Sequence, residues 1–135
     1  MNKIKVLFGI LALVMLIGFT GKAHAQSGPV MYFCEKYDGG EVGISDRFTT
    51  GYLTVMVKCE YALNLKNVTI QFDKLNQSTG KFEYSKDFPY TVSPDMKYIF
   101  FASDDLNFKT PGIYRVFLLD SNRKTVTSAL IEIIK

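Results

Sequence analysis

The chain has 135 residues, with 16 Lys and Arg, 13 Asp and Glu, one histidine and a formal net charge of +3. Lys3, Lys5, Lys22 and the histidine, His24, all lie in residues 1–25, so the 110 residues that follow balance 13 basic against 13 acidic side chains and hold no His or Trp. This composition excludes a strongly basic nucleic-acid surface and removes histidine, the usual general base near neutral pH, along with Ser-His and Cys-His couples.

Residues 1–25 have the three parts of a secretory signal. Lys3 and Lys5 give a positive start, residues 6–19 an apolar run of 14, and Ala23-His24-Ala25 a small–any–small cleavage pattern. The run is short of the ~20 apolar residues that span a bilayer, so a cleaved signal peptide over 1–25 and an exported domain over 26–135 are expected, periplasmic or extracellular, with no membrane span in the mature form. In an oxidising compartment two thiols favour a bridge, and Cys34 and Cys59 are the pair available. Such a bridge would stabilise by about 3.5 kcal/mol in the chain-entropy view. Two buried free thiols are the alternative.

The mature chain reads as strands. Only Ala62, Ala102 and Ala129 stand against 41 Val, Ile, Thr, Phe and Tyr, a balance that fits pleated surfaces and gives little helical preference. In chain order, 30–37 is apolar and aromatic and ends at Asp38-Gly39-Gly40. Residues 52–59 alternate, with Leu53, Val55, Val57 and Cys59 on one face. Residues 67–75 place Val68, Ile70 and Phe72 together. After the turn cluster 76–80, residues 82–88 carry Phe82, Tyr84 and Phe88 in phase. Pro89 and Pro94 bracket a link to the short apolar segment 98–101. Pro111-Gly112 introduces 113–120, and Ser121-Asn122-Arg123-Lys124 joins it to 125–134 as a hairpin. Seven strands in about 110 residues predict one all-β, two-sheet sandwich.

The segment Leu106-Asn107-Phe108-Lys109-Thr110-Pro111-Gly112-Ile113-Tyr114-Arg115-Val116, followed by a hairpin, resembles the last two strands of immunoglobulin-like and fibronectin type III domains. The resemblance implies that Tyr114 hydrogen-bonds back to upstream backbone, as a tyrosine corner does. Val116 stands where an immunoglobulin core cysteine would be, so any bridge here runs differently. Pairing 30–37 against 52–59 with facing positions summing to 93 would set Cys34 opposite Cys59.

No catalytic residue, cofactor site or metal site is expected. Glu35, Glu41, Asp46, Glu60, Glu83, Asp104 and Asp105 form no motif. Asp104-Asp105 with Ser103 and Asn107, or Asp38 with Glu41, offer oxygens to calcium, but Asp and Asn at such places more simply bond turn backbones. The terminal hairpin stands out. With Tyr114, Val116 and Leu118 facing the core, Ile113, Phe117 and Leu119 face outward with only Arg115 polar, and a half-solvated sheet should alternate with polar residues. Either another segment of the chain covers this face or a partner does, whether a second copy or another exported protein. The expected function is an exported, non-catalytic module acting by protein contact, with Arg115 orienting and Phe117 anchoring. A small apolar-ligand barrel and a secretion-sorting or adhesion module are the alternatives. The edge of the final strand is expected to be free to accept an added strand.

Overall fold

The structure is a computed structural model and describes residues 28–135; the expected signal peptide over 1–25 lies outside the described residues. Eleven strands form among the described residues. Seven fall on the expected segments: β1 Val30–Tyr37, β5 Thr54–Lys58, β6 Asn67–Asn76, β7 Lys81–Thr91, β8 Tyr98–Phe101, β10 Gly112–Leu119 and β11 Thr125–Ile134. Four short ones are additional: β2 Glu41–Ser45, β3 Arg47–Thr49, β4 Gly51–Tyr52 and β9 Asn107–Phe108. They escape sequence reading because β2 is almost wholly exposed, β4 and β9 have two residues each, and β3 has three with Phe48 its single buried side chain, so none shows a repeating alternation of buried residues.

One sheet has the order β2-β1-β5-β8, a second the order β3-β11-β10-β6-β7, and β4 and β9 make a two-stranded ribbon. Thus β1 and β8 flank β5, while β6 and β11 flank β10. This is the immunoglobulin-type order, with β1, β5 and β8 in the places of A, B and E and β6, β10 and β11 in those of C, F and G. β7 extends the second sheet as C′ does in variable-type domains. Chain reversal between sheets occurs after β2. Its neighbour β3 crosses over and pairs parallel with the end of β11, Arg47 opposite Glu132 and Thr49 opposite Ile134. The edge of the final strand, expected to be open, is therefore occupied over these residues, and the Arg47–Glu132 ion pair at 3.0 Å reinforces the contact.

Alternation does the sorting. Met31, Phe33, Val55, Val57, Ile99 and Phe101 from the first sheet meet Val68, Ile70, Phe72, Tyr114, Val116, Leu118, Ile131 and Ile133 from the second. Each such side chain contributes roughly 1.5–3 kcal/mol by leaving water. Val116 is fully buried, filling with a small apolar group the place where a core thiol would sit. No Trp fills strand C; instead Phe72 meets Phe108 edge-on at 4.9 Å, and Phe108 meets Tyr114 edge-on at 5.1 Å. The Tyr114 hydroxyl donates to the Thr110 carbonyl at 2.6 Å, as the family resemblance implies.

Two expectations are corrected. The phase of 82–88 breaks, because a bulge between Phe72 and Asp73 shifts the register: Phe72 faces Lys86 but Asp73 faces Tyr84. The extra residue, Ser85, rotates the strand, so Phe88 packs inward, edge-on to Phe72 at 6.3 Å, whereas Phe82 and Tyr84 turn out. The bridge fails on register. β1 and β5 pair with Cys34 opposite Thr54, which puts Cys59 five residues farther along, about 16 Å of extended strand, against a disulfide limit of roughly 7 Å between Cα atoms. Both cysteines are buried free thiols.

The folded protein therefore has the same intact mass with and without reductant apart from reagent adducts, and at neutral pH a thiol reagent labels both cysteines quickly only after denaturation. Phe108→Ala, which empties the junction of the two aromatic contacts, lowers stability by about 3–5 kcal/mol, read as the shift in a urea unfolding transition.

Candidate interaction surface

The outer face of the second sheet is built by register. Across four neighbouring strands, Leu130 of β11 stands opposite Arg115 of β10, Arg115 opposite Asp73 of β6, and Asp73 opposite Tyr84 of β7. Leu130 is 53% and Tyr84 62% exposed. Beside this row lie Leu75 opposite Phe82, and Ile113 opposite Glu132. Arg115 occupies the middle, its guanidinium 4.3 Å from the Phe82 ring centroid and 5.9 Å from that of Phe117. A planar cation over two rings covers part of their faces while staying wet itself.

Of the residues singled out from sequence, Ile113, Arg115 and Phe117 are half-buried on this face and Tyr114 is buried on the other. Leu119 is corrected. It is buried at 5% exposure and stands outside the main core, at a register shift in the β10–β11 pairing between Leu118 and Leu119. Arg123, in the left-handed conformation at φ 61°, sends its guanidinium to Gln71 Oε1 and Asp87 Oδ2, both at 3.0 Å. Gln71 in turn donates to Asp73 Oδ1 at 2.9 Å. The cover expected from a distant segment is thus partly supplied by polar side chains of the sheet itself, over its β6–β7 half; Leu130 and Tyr84 stay open. Sequence reading missed Phe82, Tyr84 and Leu75 because only the bulge brings the first two to this face.

The first sheet carries its own cover. Tyr32, Cys34, Met56 and Phe100 face away from the core, yet Cys34 and Met56 are fully buried. The far end of the β1–β2 hairpin lies across them: Tyr37 stacks on Phe100 at 4.3 Å and 7°, and the Tyr32 hydroxyl donates to Glu41 Oε1 at 2.5 Å. Burial pushes the Cys34 thiol up from its ordinary value.

Several polar groups that could have carried chemistry are structural. Asn76 Oδ1 accepts from the Ser78 and Thr79 amides, and Asp120 Oδ1 from those of Asn122 and Lys124. Ser103 Oγ pairs with the Tyr90 hydroxyl at 2.8 Å and accepts from the Asp105 amide. Lys86 sits above Phe72, Phe88 and Phe108 at 5.3–5.8 Å and donates to the Asn107 carbonyl at 2.9 Å; loss of water there lowers its pKa. A groove of about 700 Å³ runs beside β2 and β3, lined by Glu35, Ile44, Arg47, Phe48, Tyr52 and Ile134 among others, and is open to solvent. Among the described residues, no helix is long and apolar enough to cross a membrane.

Replacing Arg115 by Ala costs under about 1 kcal/mol in urea unfolding, the scale of exposed cation–π contacts. Binding of an apolar dye to the folded protein rises, because the Phe82 and Phe117 faces are laid open.

No family description and no curated protein matches the chain. Among solved structures it is similar to an immunoglobulin-like protein from Pseudomonas aeruginosa, 8% identical, with 82% of this chain and 99% of that chain covered and a TM-score of 0.49. The immunoglobulin-like arrangement follows from this chain's own strand order, an all-β sandwich with β10 and β5 central to their sheets.

Proposed function

We propose that the chain is an exported, non-catalytic β-sandwich module that acts by contact with another protein through the outer face of β7-β6-β10-β11. The row Leu130–Arg115–Asp73–Tyr84 supports this reading best. It places aromatic, apolar and guanidinium groups side by side on a rigid sheet, the residue types that dominate contact energies. Asp73 within it and Arg123 at its margin add charges that would set orientation more than affinity. Arg115 orients and Phe117 anchors, with Leu130 and Tyr84 widening the patch in the place sequence reading gave to Leu119. The apolar leader supports export. The non-catalytic reading rests on the engagement of polar groups in turns and in the sheet network.

The test is the double substitution Leu130→Asp, Tyr84→Asp in the exported protein. Both side chains are more than half exposed, so the unfolding midpoint should stay within a few degrees of the parent. Self-association by sedimentation velocity, or recovery of a cross-linked partner, should fall at least tenfold. Association of the folded double variant equal to the parent would remove this surface from consideration.

A further inference from the structure

We propose that the β1–β2 hairpin is an acid-released strap: Glu41 and Tyr37 hold it across the outer face of the first sheet, and protonation of the Glu41 carboxylate lets it lift and uncover Cys34 and Met56. This device is independent of the contact surface on the opposite sheet.

The geometry sets the hairpin apart from the rest of the fold. Cys34 and Met56 are both fully buried but lie outside the main core, so their burial depends on the hairpin. β2 adds little hold of its own, since four of its five residues are exposed and its outer edge is unpaired among the described strands. Its tip turns through Gly39 at φ 64°, closed by the Asp38 amide on the Gly40 carbonyl at 2.9 Å. Near the bend, Gly43 has φ 67° and no space for a Cβ, which would stand 2.7 Å from the Glu35 side chain. Two attachments bring the far end down, the Tyr37–Phe100 stack and the Tyr32–Glu41 hydrogen bond.

The groups facing Glu41 come from every element beneath it. Tyr32 and Tyr37 belong to β1, Lys58 to β5, and Tyr98 to β8, with Lys58 Nζ 5.9 Å from the Tyr98 ring centroid and Tyr37 edge-on to Tyr98 at 6.2 Å. The Tyr32 and then the Tyr98 hydroxyl hold the Glu41 carboxyl below the usual carboxylate range, with a smaller push from the Lys58 charge. A carboxyl whose folded pKa is lowered stabilises the closed form above its ordinary value, and that contribution is lost as pH falls through the lowered one. The phenols act at the other end. Burial and then Glu41 raise Tyr32, and Glu41 and then burial raise Tyr98, so their contribution is complete below about pH 10 and is lost as pH rises beyond it. The strap is closed between these limits.

Thiol labelling of the full chain reads the strap directly. The reagent is 4,4′-dithiodipyridine, whose rate is divided by that of glutathione at the same pH, with mass spectrometry identifying the labelled cysteine. Between pH 6 and pH 3.5 the Cys34 rate should rise about threefold or more while far-UV circular dichroism stays native. Glu41→Gln should raise the pH 6 rate about threefold or more and flatten the profile. Tyr37→Ala should raise the rate at both pH values and keep the pH dependence. Cys34 labelling that begins only with loss of the circular dichroism signal would overturn the proposal, as would a Glu41→Gln profile that overlays the parent.

Discussion

The fold turns on Phe108. It comes from a two-residue strand outside both main sheets, yet its ring is buried edge-on between Phe72 of one strand and Tyr114 of another. Edge-to-face contacts of this kind add to area burial and fix ring orientation. Tyr114 is fixed in turn by its bond to Thr110, two residues beyond Phe108. The loop that brings Phe108 inward is therefore tied to the strand that receives it, and Lys86 closes the cluster by holding its ammonium over three rings while donating to the Asp105 and Asn107 carbonyls. With this junction in place β6 and β10 are locked side by side, and the outer surface of the same two strands becomes a rigid platform.

Both outer faces solve the same difficulty in different ways. A sheet that has filled its inner face with Phe, Val and Ile has apolar residues left over on its outer one. On the second sheet, Arg115 lies over Phe82 and Phe117, and Arg123, Gln71 and Asp87 join in a polar chain. On the first sheet the β1–β2 hairpin doubles back, and a carboxylate shared with Tyr32 holds it there. One cover is made of side chains on a stiff sheet and leaves Leu130 and Tyr84 open. The other is a segment of backbone and leaves Cys34 and Met56 shut.

What was legible in the sequence was what one-sided burial writes into it. Val68, Ile70 and Phe72, and again Tyr114, Val116 and Leu118, repeat every second residue because one face of each strand meets the core. Tyr114 was legible from the Pro-Gly turn before it. The register of β1 on β5 was not, because Thr54, Val55, Met56 and Val57 are all buried, and a strand buried on both faces has no polar row to mark its phase. The pairing of Cys34 with Cys59 failed with that register. The bulge at Ser85 was silent too, since a serine in mid-strand carries no sign of an extra residue, yet it moves Phe82 and Tyr84 to the surface. Leu119 has the right parity for an outward residue but sits at a register shift of the hairpin and is buried. Half the platform could be read, and the half contributed by β7 could not.

Photo-cross-linking tests most directly whether the outer face of the second sheet meets another protein. A benzophenone amino acid is placed at position 130 in one protein and at position 30, which is 57% exposed on the first sheet, in another. Each is expressed as the full chain and irradiated in intact cells. A discrete adduct from position 130 and none from position 30 is the predicted result. Adducts of equal yield from both positions, or none from 130, would contradict it.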